Sequence, residues 1–252
     1  MRIITWNVNG FKSILQKGFI EFVEKENPDM LCLQEIRTRD FQLPLRLTLK
    51  GYDVYSSLAI ERKGLWGVAT LSKLKPLKIH RELGFERFDK EGRFLRLDFA
   101  NFILINIYMP HGGRDKKNLD YKLASYDFLL RYLKRLINEN VIIAGDFNVA
   151  RSEIDLARPK ENRNNIMFTP AERAKLNAIV ELGFIDAFRF FCKEPGHYTW
   201  FPYFGNARER NLGWRIDYVF VSPSLKGKLR RAFILRDVTG SDHCPMGIEI
   251  EM

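Results

Sequence analysis

Short apolar runs bounded by turn residues recur along the whole chain, and their length and spacing predict β-strands. The runs lie at residues 2–6, 30–34, 68–71, 94–99, 102–108, 141–144, 215–221, 231–235 and 246–250. Run 141–144 is apolar at every position, which is typical of a strand buried on both faces. Only Ala100 and Asn101 separate runs 94–99 and 102–108, so we expect these two strands to form an antiparallel hairpin.

Three other segments carry apolar residues at the spacing of a helix. They are residues 11–25, residues 119–137 and the stretch from Pro170 to near Gly183. The first is expected to stop at the Asn-Pro-Asp turn of residues 27–29. At the start of the third, Thr169 and Glu172 have the spacing of a capping box, and Pro170 suits the first helical position.

The order of these elements indicates how the chain is organised. Strands occur in both halves with helices between them, and the sequence contains no repeat, no low-complexity tract and no long linker. This pattern predicts a single domain over residues 1–252 of the α+β class, in which two packed sheets are covered by helices. The longest irregular stretches, residues 150–168 and 202–213, have the length of functional loops in compact domains.

Charge and cysteine content narrow the classes of partner and compartment. The formal net charge of +10 favours polyanions, such as nucleic acid or an anionic membrane surface. Cys32, Cys192 and Cys244 are widely spaced and form no CxxC pair, which suits a reducing compartment. The chain shows no signal peptide, and no apolar run approaches the roughly 20 residues of a membrane span. We therefore expect a cytoplasmic protein, or a nuclear one if its source has a nucleus.

Polar side chains fall where the predicted strands end, or within the strand at residues 215–221. These side chains belong to Asn7, Asn9, Glu35, Tyr108, Asp146, Asn148, Asp217, Asp242 and His243. If the strand ends converge, several carboxylates share one pocket and repel one another unless a hard cation neutralises them. Oxygen ligands without thiolates favour Mg²⁺ or Mn²⁺ over zinc. Such an ion on a phosphate oxygen would stabilise transition-state charge, so a metal-dependent phosphate site is predicted.

Each of these features has a simpler explanation when taken alone. Residues 145–148 (Gly-Asp-Phe-Asn) could be a turn after a strand, and residues 241–243 (Ser-Asp-His) a loop with an Asx turn. Asp217 could pair with Arg215 on an exposed strand face, and Tyr108 could be core. Their joint occurrence at strand boundaries favours one shared site.

Six motifs follow one another in a recognisable order. They are Trp6-Asn7-Val8-Asn9-Gly10, Leu33-Gln34-Glu35-Ile36, Asn106-Ile107-Tyr108-Met109-Pro110, Gly145-Asp146-Phe147-Asn148, Trp214-Arg215-Ile216-Asp217-Tyr218 and Ser241-Asp242-His243-Cys244-Pro245. In these motifs, and over essentially its whole length, the chain resembles the exonuclease III family of apurinic/apyrimidinic (AP) endonucleases. Gly-Asp-Phe-Asn and Ser-Asp-His are shared with the wider endonuclease/exonuclease/phosphatase superfamily. The Trp-Arg-Ile-Asp-Tyr and Leu-Gln-Glu-Ile segments favour its DNA-repair branch.

The resemblance implies a four-layer α/β/β/α sandwich of two mixed sheets, the DNase I-like fold, with the site at one edge. It implies Mg²⁺-dependent hydrolysis, with Mn²⁺ as a substitute, of the phosphodiester 5′ to an abasic site in double-stranded DNA. The product would carry a 3′-hydroxyl, and some 3′→5′ exonuclease or 3′-phosphodiesterase activity is expected. No membrane partner is implied, and the protein is expected to act as a monomer.

The resemblance also assigns roles by position. The implied metal ligands are Asn7, Glu35, Asp146, Asn148, Asp242 and His243, with Glu35 as the main one. Asp146 would orient or deprotonate the attacking water, and Asn148 would stabilise the phosphate transition state. His243, oriented by Asp217, would contact the scissile phosphate. Tyr108 would hold the phosphate or assist proton transfer.

The substrate contacts implied by the resemblance lie in two groups. Trp200, Trp214 and Ile216 match the apolar wall of a pocket for the flipped-out sugar, and an abasic nucleotide has no stacking to lose. The expected phosphate contacts are Asn9, Arg114, Lys116, Lys117, Arg208 and Arg210. At His111 many family members carry an asparagine that contacts the phosphate, so His111 receives no catalytic role here.

Two other functions share part of this pattern. A phosphodiesterase of the same fold that acts on a lipid or phosphoinositide headgroup would need the same acids, but the segment from Trp214 to Asp217 argues against it. A nucleic-acid-binding protein that has lost catalysis would usually lack a site acid, and none is missing here.

Overall fold

The computed structural model describes residues 1–42 and 44–252. Its strands are β1 (Arg2–Asn7), β2 (Met30–Gln34), β3 (Asp53–Ser57), β4 (Val68–Ser72), β5 (Lys78–His80), β6 (Phe94–Asp98), β7 (Ile103–Tyr108), β8 (Val141–Asp146), β9 (Ile185–Asp186), β10 (Asp217–Val221), β11 (Leu229–Ile234) and β12 (Met246–Ile250). Its helices are α1 (Phe11–Leu15), α2 (Phe19–Glu26), α3 (Leu45–Thr48), α4 (Glu86–Lys90), α5 (Leu119–Lys134), α6 (Pro159–Asn162), α7 (Pro170–Glu181) and α8 (Ala187–Phe191). Among these described residues, no helix has both the length and the apolar character required to cross a membrane.

The strands form two mixed six-stranded sheets. The first has the order β11-β12-β1-β2-β4-β3, and the second has the order β5-β6-β7-β8-β10-β9. The pairs β1–β2 and β7–β8 are parallel, whereas the remaining pairs are antiparallel. The predicted α+β class and the hairpin of β6 and β7 are therefore confirmed.

Alternation along the central strands explains the layers. On β1, Ile3 packs in the core between the sheets, while Ile4 packs in the outer core beneath α1 and α2. On β8, Ile142 faces the inner core and Ile143 faces the outer core beneath α5 and α7. Because side chains alternate between the two faces of a strand, an all-apolar strand fills two cores at once. Helix, sheet, sheet and helix follow one another as the four predicted layers.

The first predicted helix is wrong in its continuity. Residues 11–25 form two helices because Gly18 adopts a left-handed conformation with φ of +87° and becomes the cap of α2. Glycine takes this conformation without the steric penalty of a Cβ atom. The capping box of Thr169 and Glu172 is present at the start of α7, as predicted.

Strand direction brings the polar strand ends together. Parallel pairing places Asn7 beside Gln34 at the end of β1 and β2, and Tyr108 beside Asp146 at the end of β7 and β8. Antiparallel pairing places the start of β10, at Asp217, opposite Asp146. Strand β1 packs against β8 and β10 across the inner core. The two sheets therefore present their polar ends at one common edge.

Candidate functional site

Asn7 connects the two sheets at this edge. Its side-chain Nδ2 donates to Glu35 Oε2 at 3.0 Å and to Asp146 Oδ2 at 2.8 Å. The amide is fully buried, and Asp146 is 1% exposed. A buried amide that serves two carboxylates fixes their separation, because either one would otherwise lose a costly hydrogen bond. Asn7 therefore aligns an acid from each sheet.

Three site residues have a left-handed backbone although none is glycine. The φ angles are +48° at Asn9, +55° at Glu35 and +53° at Asn148. Backbone strain of this kind is retained where surrounding contacts enforce it, and such residues cluster at functional sites. For Asn148 the contacts are its own N–H to Asp146 Oδ1 at 2.8 Å and its Nδ2 to Met109 O at 2.9 Å.

His243 faces Asp146 and is paired with Asp217. Its Nδ1 lies 2.9 Å from Asp217 Oδ2, and its Nε2 lies 4.0 Å from Asp146 Oδ2. Burial lowers the pKa of His243, but the charge and hydrogen bond of Asp217 outweigh it and raise the pKa to about 10. The imidazole is therefore positively charged at neutral pH and directs Nε2 towards Asp146.

Asp146 is a buried acid with a raised affinity for a proton. Burial, followed by the negative charge of Asp217, raises its pKa to about 7, against the opposing effects of His243 and Asn7. A carboxylate poised near neutral pH is suited to general base catalysis. The simple turn explanation for residues 145–148 does not account for this environment.

Glycine is required immediately before this acid. A Cβ atom on Gly145 would lie 1.9 Å from Ile107 O of the neighbouring strand. Glycine in a strand interior often marks such a close backbone approach. Because Gly145 has no Cβ atom, β7 and β8 can approach closely where Tyr108 and Asp146 lie side by side.

Asp242 lies directly before His243, and its charge acts on the same imidazole. Asn9 Nδ2 donates to Asp242 Oδ1 at 2.9 Å, and Trp200 Nε1 donates to Asp242 Oδ2 at 3.0 Å. Burial raises the pKa of Asp242, but the charge of His243 and these two hydrogen bonds outweigh it and lower the pKa. Asp242 is therefore an ionised carboxylate with a donor on each oxygen.

Tyr108 lies in the core and next to the site at once. Its ring is 7% exposed, and burial followed by the charge of Glu35 raises its pKa well above the ordinary value. Arg93 stacks on the ring, with its guanidinium carbon 4.5 Å from the ring centroid. The phenol is consequently neutral and can donate a hydrogen bond.

The predicted apolar pocket residues lie together beside these acids. Trp200 and Trp214 are backbone partners whose rings meet edge to face at 6.4 Å, and both pack on a cluster that contains Ile216. Trp200 also pairs with His243 through the backbone. Phe168 packs edge to face on Trp214. Trp200 therefore connects the histidine to the apolar cluster.

The predicted phosphate-contacting residues have different surroundings. Arg114, Lys116 and Arg210 are exposed, whereas the exposed Lys117 pairs with Asp115 at 2.9 Å. Arg208 donates to two backbone carbonyls, those of Val238 at 2.8 Å and Ser241 at 2.9 Å.

Arg208 and Asn9 thus have structural partners that the sequence did not indicate. Arg208 anchors the loop that precedes Asp242, and Asn9 holds the Asp242 side chain. His111 accepts from Gly113 N at 3.2 Å, and burial together with Lys122 lowers its pKa to about 4. His111 is therefore neutral.

The simpler explanation for Asp217, a pairing with Arg215 on an exposed strand face, is excluded. Arg215 is fully buried, and its guanidinium pairs with Asp155 at 2.8 Å and Asp186 at 2.7 Å. Strand β10 also begins at Asp217 rather than at Arg215. The same guanidinium thus anchors the segment that carries Trp214, Ile216 and Asp217.

Sequence patterns missed two further polar groups behind the site. Gln34 Nε2 bridges the sheets by donating to Thr5 Oγ1 at 2.9 Å and Asn106 Oδ1 at 2.8 Å. Lys122 and Glu172 form a completely buried pair at 2.5 Å. A lysine on an otherwise amphipathic helix normally indicates the solvent face, so its burial has no signal in the spacing.

The donor set at this edge fits a hard divalent cation. Three carboxylates, those of Asp146, Asp217 and Asp242, act on one buried imidazole, and Glu35 is joined to Asp146 through the Asn7 amide. Ligand atoms of Asp146, Asp217 and His243 lie within 4.8 Å of one another, and Asp217 Oδ1 is buried without a hydrogen-bond partner. Oxygen-rich sites of this charge bind Mg²⁺, Mn²⁺ or Ca²⁺ in preference to softer ions.

Comparison with known proteins agrees with this geometry. The model of the Endonuclease/Exonuclease/phosphatase family matches residues 4–243. An exodeoxyribonuclease of Bacillus subtilis (strain 168) is 41% identical over 255 residues and is covered completely, as is this chain.

Two solved structures share the fold over the full length of both chains. An AP endonuclease from Archaeoglobus fulgidus superposes with a TM-score of 0.91 at 31% identity. A 3′ phosphatase from Neisseria, bound to product DNA hairpin, superposes with a TM-score of 0.90 at 28% identity. The DNase I-like sandwich is thereby confirmed. The chain belongs to the endonuclease/exonuclease/phosphatase family, within its branch of exonuclease III-type nucleases and AP endonucleases.

Proposed function

We propose that this protein is a Mg²⁺-dependent DNA-repair endonuclease that hydrolyses the phosphodiester 5′ to an abasic site and leaves a 3′-hydroxyl. The observation that carries the proposal is the arrangement around Asp146. A buried acid with a pKa near 7 faces the charged His243–Asp217 pair, and Trp200 joins that pair to an apolar cluster. Hydrolysis beside a missing base needs an acid to activate water, a positive charge for the phosphate and an apolar contact for the bare sugar.

Asp146 is the proposed base for the attacking water. Its pKa near 7 allows it to accept a proton at neutral pH and release it again. The Asn7 amide and the Asn148 N–H hold its two oxygens, so the carboxylate cannot rotate away from the water. Removal of Asn7 should therefore affect the rate as well as the fold.

Three donors are proposed to stabilise the phosphate. His243 offers a charged Nε2–H, because Asp217 occupies Nδ1. Tyr108 offers a neutral phenol, and Asn148 would offer the side-chain N–H that now makes the longer of its two bonds, to Asp146 at 3.2 Å. Donors fixed where negative charge develops lower the barrier without reorganisation during the reaction.

Glu35 and Asp242 are the proposed principal ligands of the metal, with Asn7 and Asp146 beside them. Both acids are half-buried at the mouth of the site, where their oxygens could bind an ion and still face a substrate. We place His243 among the phosphate donors rather than the ligands, because its Nδ1 pairs with Asp217 and its Nε2 faces Asp146 at 4.0 Å. A bound Mg²⁺ would supply positive charge to the phosphate oxygens.

The cluster around Trp200, Trp214 and Ile216 is the proposed pocket for the abasic sugar. Its members are apolar, and Trp200 and Trp214 are only partly buried, so a sugar without a base would lose little against them, whereas a normal nucleotide must break stacking and pairing. The net charge of +10 and the exposed cations Arg114, Lys116 and Arg210 would attract the DNA backbone.

A nicking assay tests the function. The substrate is a labelled duplex with one tetrahydrofuran abasic analogue, and the matched control is the same duplex with an intact base. We expect incision of the first substrate with Mg²⁺ or Mn²⁺ and none with EDTA. Asp146→Ala should lose at least ~10³-fold in rate, the scale of removing a principal charge-stabilising group.

Asp53→Ala is the matched variant, because it removes an exposed acid at the start of β3 in the first sheet. It should incise at the wild-type rate.

Absence of nicking with either metal refutes the proposal. Turnover of a phosphoinositide but not of DNA would favour the lipid-headgroup alternative. Salt-dependent DNA binding without turnover would favour a binding protein. Size-exclusion chromatography should show a monomer.

A further inference from the structure

Lys122 is fully buried, yet the proposed chemistry does not use it. It lies in the first turn of α5, and its ammonium donates to Asn148 O at 2.7 Å and to His111 O at 3.1 Å. Its third contact is Glu172 Oε1 at 2.5 Å. All three protons of the ammonium therefore have acceptors, two of which are backbone atoms of loops at the edge of the site.

Glu172 joins the same ammonium to a third loop. Besides Lys122, its carboxylate accepts from Met167 N at 3.0 Å, Thr169 N at 3.0 Å and Thr169 Oγ1 at 2.7 Å. Met167 and its neighbours Ile166 and Phe168 belong to the apolar cluster that contains Ile216. The carboxylate thus fixes one wall of the proposed sugar pocket.

Two of the anchored residues have a left-handed backbone. Asn148 has φ of +53° and Met167 has φ of +71°, a conformation that asparagine tolerates but that is an outlier for a residue as bulky as methionine. Lys122 holds the first through its carbonyl, and Glu172 holds the second through its N–H. Strain persists only when surrounding contacts impose it.

The loop at His111 is fitted to the same pair. Gly112 has φ of +93°, and a Cβ atom there would lie 2.8 Å from Ile166 Cδ1 and 3.3 Å from Lys122 Cδ. The loop therefore packs closely on both the lysine stem and the pocket wall. Removal of the Lys122–Glu172 pair should therefore affect the loops that contain His111, Asn148 and Met167.

We propose that Lys122 and Glu172 are positioning residues, which hold the phosphate-binding amide of Asn148 and the pocket wall at Met167 in one fixed relation. This inference rests on the proposed nuclease function. It explains why two full charges are retained in a core where apolar residues would often be as stable. It also predicts that the pair matters more for turnover than for folding.

The test uses the double variant Lys122→Met/Glu172→Gln. This change leaves no unpaired buried charge, and glutamine at position 172 preserves a capping box, so we expect a folded protein. Lys175→Met is the matched control. It removes the surface pair with Asp127, at 2.5 Å, that links the same two helices, α5 and α7.

Incision of abasic DNA under saturating conditions is the first readout. We expect kcat of the double variant to fall by about 10²-fold with little change in KM, the effect of a misplaced catalytic group. Lys175→Met should retain the wild-type kcat. A double variant with wild-type kcat overturns the proposal, because the pair would then serve the fold alone.

A crystal structure of the double variant is the second readout, and it does not depend on activity. We expect the Asn148 amide to leave Asp146 and Met109 O, or the backbone of Met167 to leave the left-handed region. Asn148 and Met167 in unchanged positions overturn the inference. If the wild type itself fails to nick abasic DNA, the proposed function is refuted, and this structure still decides the positioning role.

Discussion

Replacement of Arg215 by methionine tests whether a buried ion network stabilises the fold next to β10, the strand that begins at Asp217. The guanidinium is completely buried and donates to Asp155 at 2.8 Å and to both oxygens of Asp186 at 3.1 and 2.7 Å. Methionine fills much of the same volume but leaves both carboxylates without this partner. Arg189 remains paired with Asp155 at 2.8 Å, so the network is weakened rather than abolished.

The magnitude follows from the burial of all three groups. Removal of one partner from a buried pair costs about 3–5 kcal/mol, because a desolvated charge is left behind. For a domain of this size each kcal/mol lowers the melting temperature by about 2–4 °C, so a decrease of roughly 6–20 °C is expected. Arg230→Met is the control, since that arginine pairs with Glu251 on the surface, where such pairs contribute about 0–1 kcal/mol.

The loss of folding stability in Arg215→Met should also depend on pH. Burial would raise the pKa of Asp155, but Arg215 and Arg189 outweigh it and lower the pKa to about 2. A lowered carboxyl pKa stabilises the folded state above the unfolded value of about 3.9 and ceases to do so as the pH falls towards 2. The wild type and Arg215→Met should therefore differ most at neutral pH, and the difference should shrink as the pH falls from about 4 towards 2.

Thermal unfolding by circular dichroism at pH 7, 5 and 3.5 measures both effects. A melting temperature of Arg215→Met that equals that of Arg230→Met at pH 7 would refute the reasoning. So would a difference that stays constant down to pH 3.5.

Three further changes probe the site. Asp217→Asn should lower the pKa of His243 from about 10 towards its ordinary value, which NMR titration of the imidazole measures. Incision by this variant should then be lost more at pH 8 than at pH 6; an unchanged titration contradicts this. Gly145→Ala should lower the melting temperature sharply, because its Cβ would meet Ile107 O at 1.9 Å; a wild-type melting temperature argues against that close approach. Trp214→Ala should reduce kcat/KM for abasic DNA more than general DNA affinity, as competitive binding would reveal; equal losses contradict the pocket assignment.

The fold could be predicted largely because its central strands carry clear patterns. Strands β1, β2, β7 and β8 are long and apolar, and their ends carry the polar side chains. Strand β5 was missed because its three residues, Lys78–His80, are all exposed and carry no alternation. Local spacing also could not show that Gly18 divides the first helix.

The sequence predicted which polar residues would lie together, but not how they are connected. Position along strands placed Asp146, Asp217 and His243 at one edge, and the structure brings them together. The partners of Arg215 could not be predicted, because Asp155 and Asp186 are distant in sequence and meet it only through tertiary packing. The spacing of residues along one strand or helix does not reveal a buried charge, because the partner of that charge lies on another strand, helix or loop.

Mapping of the incision product tests the central claim most directly. A duplex with one tetrahydrofuran residue is incubated with the protein and Mg²⁺, and the nicked strand is sized and then offered to a DNA polymerase. We predict a single cut immediately 5′ to the abasic residue, with a terminus that the polymerase extends without further processing, and no cut by Asp146→Ala. A cut on the 3′ side, a terminus that cannot be extended, or equal cutting by Asp146→Ala would contradict the account.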